Sequence, residues 1–139
     1  MEGNVAASTQ NQVISREDGS GTRAVFEGLV MRDRRVTPTA LIMPSSEAAR
    51  DYLATHDGAI GYLSIGYLSP GVAALAIDGV RPEREAVENG TYAITRPFLL
   101  VSHPDPEPEV ANFMEFARSP AGQAIVGQTY GRASTGVRR

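Results

Sequence analysis

The segment from 15 to 26, SREDGSGTRAVF, gathers the residue types that hold a small oxyanion, at a spacing that lets them act together. Arg16 follows the apolar pair Val13 and Ile14, and its guanidinium offers bidentate, charge-assisted hydrogen bonds. Four residues on, Ser20-Gly21-Thr22 opens a stretch in which Val25, Phe26, Leu29 and Val30 recur at helical spacing. Ser20 is a favourable N-cap, and the glycines permit close approach of the backbone to a ligand. The first-turn N–H groups, the positive end of the helix dipole, two hydroxyls and one guanidinium would then point at one place. Capping and anion binding use the same geometry. Ser20 and Thr22 therefore serve the helix start whether or not they also bind, and Gly19 and Gly21 read first as backbone requirements.

Other chemistries find less support. Gly19-x-Gly21-x-x-Ala24 matches part of a dinucleotide fingerprint, but Arg16-Glu17-Asp18 separates it from the strand, and no second strand ending in an acid follows about 20 residues later. The chain has no lysine, so a phosphate-binding loop for nucleotide hydrolysis is excluded. His56 near a helix end and His103 in a proline-rich stretch lack metal-ligand spacing, and nothing places either beside Ser20 as a catalytic base. Glu83, Glu85 and Glu88 form a solvated helix face. Arg96 before Pro97, and Tyr62 with Ser64, have the types to line a cleft. Fold maintenance is the stronger reading for them, with the tyrosine packed and its hydroxyl outward. The expectation is a non-enzymatic binder with no catalytic residue, no metal and no cofactor.

At 139 residues, with 42% hydrophobic and 21% charged side chains, the chain has the ordinary balance of a globular domain. A net charge of −3 argues against nucleic acid as a partner, since binding a phosphate backbone calls for a basic surface. The absence of cysteine excludes disulfides and thiolate chemistry. No run approaches the roughly 18 apolar residues that span a bilayer. Residues 1–12 lack the apolar core of a secretory signal and read as a lead-in that is disordered or was added in cloning.

Strand-like and helix-like runs alternate between frequent Gly and Pro, which predicts an α/β fold. A strand and helix lead to the charged turn Arg32-Asp33-Arg34-Arg35. Ser45 or Ser46 caps a second helix ended by Asp57-Gly58, and 59–63 reads as a short buried strand. Residues 64–80 read as β-structure, with a hairpin signal at Asp78-Gly79 and a core strand at 65–68. A short helix over 82–88 precedes a long strand over 92–101, bent or at an edge because of Pro97, with 98–101 in the core. After a linker at 103–108, helices are predicted over 109–118 and from Ser119, with Pro120 at the first position.

The motif Arg16-x-x-x-Ser20-Gly21-Thr22 resembles the anion-binding loop of the phosphate-binding proteins that serve ABC-type phosphate importers. Gly58-Ala59-Ile60-Gly61-Tyr62, then Tyr92-Ala93-Ile94-Thr95-Arg96-Pro97, then Ser119-Pro120-Ala121-Gly122-Gln123 continue the likeness in order, over roughly 13–131. It implies a type-II periplasmic-binding-protein-like fold, of which only the carboxy-terminal half has a counterpart here. On that likeness 13–90 is an anion-binding α/β lobe, 91–131 the returning strand and terminal helices, and 132–139 a frayed tail. It further implies Arg16, Ser20, Gly21 and Thr22 as anion ligands, inorganic phosphate or a similar tetrahedral oxyanion as the ligand, a membrane ABC permease as partner, and an extracytoplasmic location. The half that would complete the cleft is expected from a separate first-lobe chain or from self-association with exchange of the terminal helices. Phe113, Phe116, Ile125 and Val126 would otherwise lack a partner surface. The competing expectation is an interaction or sensory module that keeps the fold without transport.

Overall fold

The computed structural model describes residues 12–133. Of the expected lead-in 1–12 and tail 132–139, residues 1–11 and 134–139 lie outside the described residues, and Gln12 already belongs to the first strand. The chain divides into two units, Met1–Ala73 and Ala74–Arg139, each taken by itself below.

The first unit is built on strand β1, Gln12–Arg16, where β-branched Val13 and Ile14 favour extended backbone. It is the middle of a three-stranded parallel sheet of order β2-β1-β3, with β2 at Leu41–Met43 and β3 at Ala59–Ile60. Ile14 pairs with Leu41 and Arg16 with Met43 on one side, while Gln12 pairs with Ala59 and Val13 with Ile60 on the other. Parallel neighbours require crossovers. Helix α1, Gly21–Phe26, continues into a π-helical turn at Glu27–Met31 and forms the first crossover. Helix α2, Ser46–Thr55, forms the second. Ser45 is the residue that caps α2, its hydroxyl accepting the Ala48 N–H at 3.0 Å. Ile14 of β1 and Ala49 of α2 are the buried apolar side chains among the described residues, so the core lies between this strand and this helix.

One strand of this unit is unexpected, and two expectations need correction. Leu41–Met43 pairs as β2, although three residues flanked by Pro38 and Pro44 are too few to show a period. The strand expected over 59–63 stops at Ile60 and is not buried, since Ile60 stays exposed. Beyond it Gly61 lies close against β1, where a Cβ would stand 2.9 Å from the Cβ of Ile14, but the pairing with β1 ends at Val13 and Ile60. The core strand expected at 65–68 is a single 3-10 turn, Ile65–Tyr67. Local bonds from Tyr67 N–H to the Ser64 carbonyl and from Leu68 N–H to the Ile65 carbonyl take the place of a ladder.

In the second unit Ile77 and Val80 bridge antiparallel around Asp78 and Gly79, both with left-handed φ (50° and 81°), so the hairpin signal marks a real turn. The rest of the β-structure expected over 64–80 does not form among the described residues. Helix α3, Arg84–Glu88, is short. Helices α4, Pro108–Arg118, and α5, Pro120–Val126, meet at Ser119, whose hydroxyl accepts the Gly122 N–H at 3.2 Å. Proline occupies the first turn of each helix, where its missing N–H costs nothing. The long strand expected over 92–101 is not a strand. Pro97 removes one donor, and among the described residues of this unit no strand runs beside the segment to take the others. Residues 98–101 are accordingly exposed rather than in a core, Leu99 at 76% and Val101 at 89%.

Candidate functional site

In this parallel sheet of order β2-β1-β3 the first crossover runs from β1 to β2 and the second returns past β1 to β3, so the winding reverses about the central strand, and the crevice outside the carboxyl ends at such a point is where α/β sheets bind ligands. Three loops meet there, carrying Arg16 to Thr22 after β1, Ser45 and Ser46 after β2, and Tyr62 to Ser64 after β3.

Arg16 is the last residue of β1 and is 8% exposed. A charge so placed must be paired and hydrogen-bonded. Its Nε donates to Oε2 of Glu17 at 2.8 Å and its Nη2 to Oε1 of the same carboxylate at 2.9 Å. Its Nη1 donates to the Oγ of Ser46 at 2.6 Å. The guanidinium holds the Glu17 carboxyl below the usual carboxylate range. Ser46, itself buried, also accepts the Ser64 N–H at 3.4 Å, which ties all three loops to one hydroxyl.

The backbone of Arg16 is fixed as well. Its N–H donates to the Tyr62 hydroxyl at 3.3 Å, and that hydroxyl shares a 2.7 Å bond with Ser15 Oγ. Phe26 of α1 stacks on the Tyr62 ring, with centroids 4.1 Å apart. Tyr62 thus maintains the fold as expected, but its hydroxyl turns in to β1 rather than outward. Arg96 lies over the Phe98 ring, 5.4 Å from its centroid, in the second unit.

The turn after β1 is closed by Ser20 N–H donating to the Glu17 carbonyl at 3.2 Å, with Gly19 at φ 85°. Ser20 is the N-cap of α1, and its Oγ accepts the Arg23 N–H at 3.3 Å. The N–H groups of Gly21 and Thr22 have no acceptor among the described residues, nor does the Thr22 hydroxyl bond to any of them. Arg23 staples the loop to the strand, donating from Nη1 to the Arg16 carbonyl at 2.9 Å and to Asp18 at 2.8 Å, and from Nε to Glu27 at 2.9 Å. The Glu27 hydrogen bond first, and then the charges of Glu27 and Asp18, push its pKa further above the ordinary arginine value.

Ser20 and Gly21 line an open depression together with Asp18, Gly19, Arg23, Ala24, Glu27 and Arg35. Neither Arg16 nor Thr22 lines it, and its two carboxylates, Asp18 and Glu27, are both paired with Arg23. Arg16 makes no hydrogen bond to Ser20, Gly21 or Thr22. The two parts of the motif are joined through the loop backbone instead. The sequence offered little sign of Glu17, Ser46 or Arg23 as the residues that hold this loop. Only the i,i+4 spacing of Arg23 and Glu27 pointed toward one of these contacts.

Residues 2–121 match the family model of the PBP superfamily domain. The chain belongs to this superfamily. It is 37% identical over 129 residues to the phosphate-binding protein PstS 2 of Streptococcus pneumoniae serotype 4, covering 87% of this chain and 44% of that protein. It is 40% identical over 83 residues to the phosphate-binding protein PstS of Bacillus subtilis, 59% of this chain and 27% of that one. A phosphate ABC transporter substrate-binding protein from Clostridium perfringens, solved with bound phosphate, superposes with a TM-score of 0.79 at 32% identity, over 88% of this chain and 52% of that one. An ABC-type phosphate transport receptor from Vibrio cholerae gives 0.73 at 27% identity, over 88% and 52%. The α/β fold of this chain is therefore periplasmic-binding-protein-like, and the chain spans about half the length of the relatives it matches.

Proposed function

We propose that the chain supplies one side of an oxyanion cradle in a solute-binding protein of ABC-type phosphate uptake, and that it binds without catalysing a reaction. The observation that carries this reading is the position of Arg16 at the carboxyl end of the central strand, followed after a short turn by a capped helix start with two N–H groups that have no acceptor among the described residues. Gly21 and Thr22 would donate those N–H groups to oxygens of the anion, Ser20 and Thr22 their hydroxyls, and Arg16 its charge. The kinship with phosphate-binding proteins of S. pneumoniae and B. subtilis supports phosphate over other tetrahedral anions. On the same ground the partner is a membrane permease and the site of action extracytoplasmic.

A calorimetric titration with phosphate, with sulfate as control, tests the reading. Saturable phosphate binding that disappears in Arg16→Ala is the expected result. Equal weak heats in wild type and Arg16→Ala would overturn it.

A second reading, association through the apolar surface of the second unit, rests on the exposure of Leu99, Val101 and Phe113. It belongs either to a self-assembled binder or to an interaction module that no longer transports, and an oligomer indifferent to phosphate would favour the module.

A further inference from the structure

The arrangement around Arg16 has an occupant already. A carboxylate takes the Nε and Nη2 pair at 2.8 and 2.9 Å, the side-on fork of a guanidinium that matches a two-oxygen ligand. That carboxylate belongs to the next residue in the chain, so it stays close to the fork even when it is released. We propose that Glu17 is an internal competitor for the anion, occupying the Arg16 fork when no oxyanion is bound and setting the affinity of the site by having to yield it. The inference rests on the oxyanion reading above and adds to it a residue that tunes affinity.

Burial and accessibility support the exchange. The Arg16 side chain is 9% exposed and cannot leave, while that of Glu17 is 37% exposed and can swing into water. Arg16 is also held from behind by Ser46 through Nη1, and its N–H by the Tyr62 hydroxyl, so the guanidinium keeps its place when Glu17 goes. A carboxylate and a tetrahedral oxyanion present similar oxygen pairs, so replacing one with the other conserves the number of charge-assisted bonds. The free energy that separates them is then small, because the enclosed guanidinium keeps a two-oxygen partner in either state. Asp18 does not fill the role, because it is engaged by Arg23 at 2.8 Å.

Phosphate titrations of wild type, Glu17→Gln, Arg16→Ala and the double variant, followed by calorimetry and by the amide resonances of Gly21 and Thr22, test the proposal. Glu17→Gln keeps the shape and removes the charge. It should bind phosphate more tightly than wild type by on the order of tenfold, about the loss of one charge-assisted contact. The gain should vanish when Arg16 is also replaced. Thermal unfolding of each variant separates these effects from loss of fold. If the amides shift on phosphate addition but Glu17→Gln binds equally or more weakly, Glu17 only orients the arginine and the proposal falls while the phosphate reading stands. If phosphate moves the amides in neither protein, removing the competitor has opened nothing, and both fall. Binding seen in Glu17→Gln alone would uphold the competition.

Discussion

The outcome at Arg16 depends on a contest between desolvation and pairing. Its guanidinium is almost fully enclosed, and three hydrogen bonds to Glu17 and Ser46 offset the loss of water. Ser46→Ala would leave an N–H of a buried cation and the Ser64 amide without their acceptor, costing about 1–3 kcal/mol. Urea unfolding of wild type and variant should show that loss as a lower midpoint, with Ser46→Thr recovering part of it. The Glu17 contact titrates. Its carboxyl has a lower pKa in the folded chain than its ordinary 4.5, chiefly through the Arg16 hydrogen bond, so it favours folding only while ionised. That contribution is complete at pH values above the ordinary carboxylate range, declines below about 4.5, and is lost once pH passes the lowered folded value. Unfolding profiles of wild type and Glu17→Gln should therefore differ at neutral pH and converge in acid. A constant gap down to low pH would mean that the carboxylate is not what Arg16 holds.

Elements whose signals are local are legible in the sequence itself. Helix α4, expected over 109–118, runs Pro108–Arg118, and Ser119 with Pro120 marks the start of α5 because capping and a first-turn proline are decided within four residues. The Arg16 and Ser20 to Thr22 motif is legible for the same reason. What lies outside reach depends on neighbours. Ser46 stands 30 positions from Arg16, and Tyr62 stands 46, and only the order β2-β1-β3 brings them beside it. The extended segment at 92–101 has strand composition, but pairing is a property of two segments, and the described residues of this unit provide no second one. Two changes test the elements. Ser45→Ala removes the α2 cap and should cost about 1 kcal/mol. Gly122→Ala should cost more, about 1–3 kcal/mol, because the added Cβ would overlap the Phe116 carbonyl oxygen at the α4–α5 corner, and backbone there must shift. Denaturant midpoints for the two variants should fall in that order; a Gly122→Ala midpoint equal to wild type would show that the corner opens freely.

For the molecule as a whole, charge and apolar exposure make opposite demands. A net charge of −3 repels a phosphate ion at long range and discourages random association, so any capture of the ion rests on local groups. The second unit meanwhile exposes Phe98 to Val101 as a continuous apolar run, with Phe113, Phe116 and Ile125 exposed on its helices. Surface of that kind marks an interface when it is contiguous. Sedimentation velocity over a range of concentrations should therefore reveal reversible self-association of the isolated chain. Salt separates the causes. Contacts made by apolar surface persist or strengthen as ionic strength rises, because screening also weakens the repulsion between two copies of charge −3, whereas contacts made by ion pairs weaken. Replacing Leu99 and Val101 by Glu should shift the distribution toward monomer without lowering the unfolding midpoint, since both side chains already face water. A wild type that stays monomeric at every concentration and salt would mean that the apolar run has no partner in a second copy and awaits a different chain.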